Sequence, residues 1–348
     1  MRKFDYSFLE NGMLPAGLFN LAEGIYSLRA ASLGRKEKHV AVFSELEAIA
    51  KVQSVKSSNA IEGIVTSDER ILEIVNRNSA PLNHDEMEIS GYRDALNAVH
   101  RGYGYLDFRQ SDILGLHALM FRMSDSPVGG HYKLDDNLII QVDGQGRRSV
   151  RFRPVPASET PETMEQLELA YADARDNPGI NHLLLIPCVI LDFLCVHPFS
   201  DGNGRLSRLL SLLLLYRNGF DAGKYISFEE QINLYKTQYY EALKASSDGW
   251  NDNANDYFPF VRNFLSTLYM CYKELDKRFA VVGGRRVNKK NRIEATLLGS
   301  LTAMSKSEIC AIHPDISPST VEAALADMLK KKKIIKIGAG RATGYIRA

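Results

Sequence analysis

Two apolar runs, residues 183–191 and 209–216, flank a polar loop that contains two glycines. Each run is well short of the roughly 20 residues a membrane span needs. Both therefore read as buried helices, so the loop between them must leave one interior helix and enter another. A chain of 348 residues with 45% hydrophobic and 24% charged content has ample material for such a core and for two or three domains.

Nearly every other periodic segment also reads as helix. Residues 36–62 place Val40, Phe43, Leu46, Ile49, Ala50 and Val55 at three- and four-residue spacing, with Gly63 as a stop. Further helical patterns cover about 84–101, 110–123, 161–176, 181–196, 205–218, 228–247 and 256–279. The middle differs. Residues 135–156 alternate as strands do around Asp143-Gly-Gln-Gly146, which predicts a hairpin.

The C-terminal stretch carries a different charge. Residues 285–348 hold 13 Lys and Arg against 5 Asp and Glu, which leaves 30 basic and 37 acidic residues elsewhere in a chain of net charge +1. Such a split marks a separate module. Its basic lead-in, residues 281–292, reads as a linker. Helices are expected over 293–304, then from a capping box at Ser305 and Glu308, then from Ser317 with Pro318 at the first helical position. Strands at 334–337 and 344–346 around a Gly-Ala-Gly turn complete what resembles a winged helix. The third helix presents Glu322 and Asp327, and Lys330, Lys331, Lys332 and Lys333 gather past its end. The module is therefore expected to contact protein, or a second copy in a homodimer, in preference to DNA.

The chemistry concentrates in His197-Pro-Phe-Ser-Asp-Gly-Asn-Gly-Arg-Leu-Ser-Arg208. Free amides in the first turn of the following helix attract an anion, and the glycines let it approach the backbone. Arg205 and Arg208, three apart, share a helix face from which both would reach one polyphosphate. Asp201 offers a hard oxygen for Mg²⁺. His197, if neutral, would take a proton from a hydroxyl nucleophile. The bland alternative for each residue alone, a cap or a satisfied core histidine, weakens when all of them stand in one loop.

This run resembles the Fic signature HPFx[DE]GNGRxxR and matches it at every defined position. The resemblance implies a mainly α fold: an all-helical Fic core, a small β-hairpin flap and the C-terminal winged helix-turn-helix-like domain. It also implies a protein adenylyltransferase that binds ATP with Mg²⁺ and moves AMP to Ser, Thr or Tyr of a target protein, and possible self-modification is part of that expectation. By the same resemblance His197 activates the acceptor, Asp201 binds the metal, and Gly202, Asn203 and Gly204 form the anion hole. Arg205 and Arg208 then hold the β- and γ-phosphates. Ser58-Asn-Ala-Ile-Glu62-Gly63 resembles the family's inhibitory pattern [ST]xxxE[GN], which implies that Glu62, one helical turn after Ser58, denies Arg208 to the γ-phosphate. Tyr239 and Tyr240 match positions that present an aromatic to adenine. Gly129-Gly-His-Tyr-Lys133 leads into the flap.

The expected domains are an N-terminal helical region (1–95, inhibitory helix about 43–62), a catalytic core (96–280), the linker and the terminal module (293–348). The same site would also permit removal of AMP, and a DNA-binding regulator with a nucleotide-sensing core is a third reading. Cys188, Cys195, Cys271 and Cys310 form no CxxC pair, and the first residues lack a signal-like apolar stretch. Both point to a cytoplasmic protein with reduced core thiols and no membrane partner.

Overall fold

The apolar run after Asn181 forms a helix that accommodates Pro187 within it and ends at His197. The run after the loop is helical too, and the pair makes the centre of the molecule. The computed structural model describes residues 2–124, 128–142, 145–280, 289–300, 303–313, 316–338, 340 and 343–348. Among the described residues the helices are α1 (Phe8–Asn11), α2 (Ala16–Lys38), α3 (Val40–Ile61), α4 (Asp68–Arg77), α5 (His84–Gly102), α6 (Gln110–Phe121), α7 (Thr160–Asp176), α8 (His182–Val196), α9 (Asn203–Arg217), α10 (Phe228–Leu234), α11 (Lys236–Ser247) and α12 (Phe258–Ala280). They surround α8 and α9, whose residues Leu183, Val189, Leu191, Leu209, Leu212 and Leu215 are fully or almost fully buried. None of the described helices is long and apolar enough to cross a membrane.

The chain is mainly helical, with a small hairpin beside the core: β1 (Ile139–Val142) pairs antiparallel with β2 (Arg148–Phe152). It is shorter than the alternation over 135–156 predicts, and residues 143 and 144 of its predicted loop lie outside the described residues. The predicted 36–62 helix also divides. His39 adopts φ −133°, ψ 44°, which ends α2 and starts α3. Sequence reading missed α2. It packs along α12 through Leu18 and Ile25, and Gly24 lets the Tyr269 ring come so close that a Cβ there would lie 2.9 Å from it. The predicted 228–247 helix divides too, at Tyr235 (φ −116°, ψ 36°).

Buried polar groups fix α3 in place. Ser54 Oγ donates to Glu229 Oε2 at 2.7 Å, and Glu229 Oε1 accepts from Tyr92 Oη at 3.0 Å. Lys236 Nζ donates to the Ile61 carbonyl at 2.6 Å, which satisfies one of the orphan carbonyls at the helix end.

Past residue 280 a second, small core gathers Ile293, Leu297, Ile309, Val321, Leu325 and Ile334. It is built by α13 (Lys289–Gly299), α14 (Lys306–Ile312), α15 (Pro318–Lys330) and an antiparallel pair, β3 (Ile334–Ile337) and β4 (Gly344–Arg347). Ser305 and Glu308 form the capping box and Ser317 caps α15. Helix α13 starts and ends earlier than expected, because Met304 leaves it to exchange backbone hydrogen bonds with Tyr345 on β4. The end of the predicted linker, residues 289–292, is helical. Its residues 281–288, like Ala339 of the predicted Gly-Ala-Gly turn, lie outside the described residues.

Candidate active site

Helix α8 stops because His197 turns left-handed, at φ 52° and ψ 61°. The loop that follows is tied to itself and to its surroundings. Asn203 Oδ1 accepts from the Phe199 amide at 3.0 Å, and its Nδ2 donates to the Phe199 carbonyl at 2.7 Å. Gly202 begins α9 at φ +80°, a left-handed conformation, and a Cβ there would meet the Phe121 ring at 2.8 Å. Asp201 is the loop's outward residue, with 62% of its side chain exposed, and its Oδ1 accepts from the Gly202 amide at 2.5 Å.

Two residues hold this loop: His117, which sequence reading passed over, and Lys133, which it named without a role. His117 on α6 is fully buried and stacks on Phe199, with centroids 3.8 Å apart and planes 12° apart. Its Nδ1 accepts from the Gly130 amide at 2.9 Å, so its Nε2 carries the proton and donates to the Asp201 carbonyl at 3.0 Å. Burial pushes its pKa down to about 4. Lys133 Nζ donates to the carbonyls of Val196 (3.3 Å) and His197 (3.0 Å) and to Asn137 Oδ1 (3.0 Å). Burial lowers its pKa to about 8. Lys133 closes the Gly-Gly-His-Tyr-Lys stretch noticed in the sequence, but only the fold reveals what it grips.

His197 is neutral near pH 7, because burial depresses its pKa to about 4. Its Nδ1 lies 3.3 Å from the Leu194 carbonyl. A carbonyl only accepts, so the proton sits on Nδ1 and Nε2 keeps a free lone pair. His197 lines a cavity of about 280 Å³ with Glu62, Arg208, Gly204, Tyr239, Tyr240 and the hairpin residues Ile139, Arg151 and Phe152. Tyr239 and Tyr240 stand edge to face, with centroids 5.4 Å apart at 77°, and Tyr239 is almost fully buried.

The two arginines share the face of α9 that the sequence suggests, but each already has a carboxylate. Arg205 is paired with Glu88 of α5 at 2.5 Å and lies 3.6 Å from Asp201. Its buried Nε has no hydrogen-bond partner. Arg208 donates through Nε to Ser58 Oγ (2.9 Å), and through one terminal nitrogen to the Ser58 carbonyl (2.9 Å) and Glu62 Oε1 (2.8 Å). Glu62 is the residue that ends α3, one position beyond its last turn, and Gly63 follows at φ +86°. The Glu62 carboxylate rests on the backbone of α9's first turn: a Cβ on Gly204 would lie 2.4 Å from its Oε1. Glu88 too was missed, although it falls in phase with Tyr92, Ala95 and Val99, the buried stripe of α5.

The site thus combines a neutral base, a carboxylate facing water, glycine-bearing first-turn amides and two restrained guanidinium groups. Such a constellation handles a phosphorylated ligand and a hydroxyl.

Residues 105–215 match the Fic/DOC family. A Fido domain-containing protein of Dictyostelium discoideum is 27% identical over 139 residues, which cover 39% of this chain and 92% of that protein. The protein adenylyltransferase Fic of Nematostella vectensis is 26% identical over 224 residues, 60% of this chain and 45% of the relative. Its counterpart in Aedes aegypti is 40% identical over 67 residues, 19% of this chain and 11% of the relative. The chain therefore spans less than half the length of either adenylyltransferase. Among solved structures, a Fic family protein from Desulfovibrio desulfuricans superimposes with a TM-score of 0.61 at 20% identity, covering 97% of both chains. A Fic domain containing signaling protein from Bacteroides thetaiotaomicron gives 0.56 at 22% identity, over 74% of this chain and 94% of that one. Those two likenesses carry the fold.

Proposed function

We propose that this chain, which carries a Fic/DOC family domain, transfers AMP from ATP to a protein hydroxyl and is held in check by Glu62. In the transfer, the acceptor oxygen attacks the α-phosphorus and loses its proton to His197 Nε2. The new O–P bond forms as the bond to the departing pyrophosphate breaks, and pyrophosphate leaves with that electron pair. The chain contributes position and charge: the Gly202–Gly204 backbone opens α9's first turn to the phosphates, Arg205 and Arg208 neutralise them, and Tyr239 and Tyr240 flank the base.

Mg²⁺ fits this site as an ion shared between protein and nucleotide. No group of three or more potential ligands is present among the described residues, whereas Asp201 alone faces water beside the α9 N-terminus. Mg²⁺ commonly takes one or two carboxylates plus phosphate oxygens. Asp201 would hold the ion, which would neutralise charge on the phosphates.

The observation that carries the inhibitory reading is the Glu62 carboxylate lying over Gly204 while it occupies Arg208. An anion on those amides and that carboxylate exclude one another. Incubating the full chain with ATP labelled at the α-phosphate tests both halves. Glu62→Gly should raise labelling of the chain itself and of lysate proteins above wild type, and His197→Asn in that background should abolish it. Absence of α-label from the Glu62→Gly chain and from every lysate protein would refute the transfer. Equal labelling of wild type and Glu62→Gly would refute the restraint.

For the terminal module, read as a winged helix, protein contact or self-association is favoured over DNA by its charge pairing. Lys306 pairs with Glu322, Lys333 with Glu294, and Lys331 with Asp327 at 2.8 Å. These pairs neutralise much of the lysine cluster. Tight duplex binding that falls steeply with salt would reverse that preference.

A further inference from the structure

Arg151 stands apart from the other cations of the site. It lies on β2 and is half-buried, yet it makes no hydrogen bond or ion pair among the described residues, and its Nε is wholly shielded without a partner. That nitrogen has lost water and gained nothing in exchange. Arg205 and Arg208, by contrast, each have a carboxylate at 2.5 and 2.8 Å.

Its place between two openings suggests what completes it. Besides the cavity at His197, a groove of about 860 Å³ runs along Val150–Arg153 of the hairpin, opposite Glu241, Lys244 and Asp248. Arg151, Phe152 and Ser247 line both spaces, and Arg151 is the charged member of the three. On the AMP-transfer reading the phosphates lie over Gly204, beside Arg208, in the same cavity. Arg151 instead faces Cys195, Tyr239 and Tyr240, and burial lowers its pKa. A protein segment laid along the groove, with its hydroxyl at His197, would pass this guanidinium within a few residues of the acceptor, at about 3.3 Å per residue.

We propose that Arg151 is a specificity residue that selects an acidic side chain close to the acceptor hydroxyl in the target chain. The assignment rests on the AMP-transfer reading of the same site. A carboxylate would supply the missing hydrogen bonds in bidentate form, which neither a neutral nor a basic residue does.

The test uses the full-length Glu62→Gly chain and synthetic peptides with one central Ser, Thr or Tyr and a Glu, Gln or Lys at each flanking position. α-Labelled ATP reads transfer, and fluorescence polarisation of the same peptides reads binding. One flanking position should favour Glu over Gln roughly tenfold in both readouts, as expected for a hydrogen-bonded charge. Arg151→Ala should flatten the preference, Arg151→Glu should shift it toward Lys, and Arg151→Lys should restore part of it. Affinity for ATP should stay within about twofold in all three, provided their circular dichroism melts match the parent.

Absence of a charge preference, or a preference that survives in Arg151→Glu, overturns the assignment. A tenfold loss of ATP affinity in Arg151→Ala does so too, because the guanidinium then serves the nucleotide. If binding shows the Glu preference and its loss but no peptide and no chain is labelled, Arg151 stands and AMP transfer falls. If labelling proceeds without the preference, transfer stands and Arg151 falls.

Discussion

Arg205 and Arg208 stand one turn apart on α9, both 2% exposed, and each meets a glutamate. The two glutamates differ. Glu88 comes from the interior stripe of α5 and is 9% exposed, whereas Glu62 ends a helix and is 32% exposed. Water cannot replace Glu88, so its loss would strand a buried charge. Water can reach the place of Glu62, and Ser58 would still hold Arg208. The same residue type at the same site therefore serves architecture in one pair and, on the reading proposed above, restraint in the other.

The largest expected effect comes from Glu88→Ala. Removing one partner of a buried pair typically costs about 3–5 kcal/mol. The urea midpoint should fall accordingly, and a change below about 1 kcal/mol would erase the contrast between the pairs. Ser58→Ala comes next. It leaves the buried Arg208 Nε without its acceptor, so about 1.5–3 kcal/mol should be lost. If Ser58→Ala proves neutral in urea, Glu62 and the backbone carbonyl at 58 suffice to hold Arg208, and the restraint is less separable than the geometry implies.

Acid tests whether the loop that leads into the arginines' helix is as rigid as their surroundings. His117 and His197 titrate near 4 in the fold against 6.5 for an ordinary histidine. As pH falls, the unfolded chain binds protons first, so stability declines from about pH 6.5 toward 4 and then levels. By pH 5 His117 alone should account for about 2 kcal/mol. Urea midpoints at pH 7 and pH 5 measure the slope, which should shrink in His117→Asn.

Smallest in stability is Glu62→Ala, expected within about 1 kcal/mol of wild type because that pair is partly exposed. Its effect belongs to activity: AMP transfer should rise roughly tenfold, about 1.4 kcal/mol in barrier. A Glu62→Ala chain that melts as early as Glu88→Ala would show that both pairs are structural.

The fold class was legible because three- and four-residue apolar spacing dominates the chain, and the loop was legible because its residues are contiguous. What escaped was non-local. His39 and Tyr235 interrupt helices whose apolar phase runs on through them, and α2 shows itself only against α12. His117 lies 84 residues from the carbonyl it supports, and Glu88 lies more than a hundred residues from Arg205. No local pattern links such partners, although a glutamate in phase with a buried stripe is a sign that something cationic must meet it. Arg151 gave no sign at all, since a lone arginine in an alternating strand looks like any solvated residue until its burial is known.

The left-handed backbone at position 197 also decides what an inert reference protein can be. An alanine there carries roughly 1–2 kcal/mol of conformational penalty, whereas glycine and asparagine accept the geometry readily. On the AMP-transfer reading, inactivation by alanine thus mixes lost chemistry with a loosened junction between α8 and the loop. Mutational drift away from histidine meets the same filter. A copy of this chain that had given up proton transfer but kept its architecture would be expected to carry asparagine or glycine at 197, so the replacement residue alone would separate a silenced site from a collapsed one.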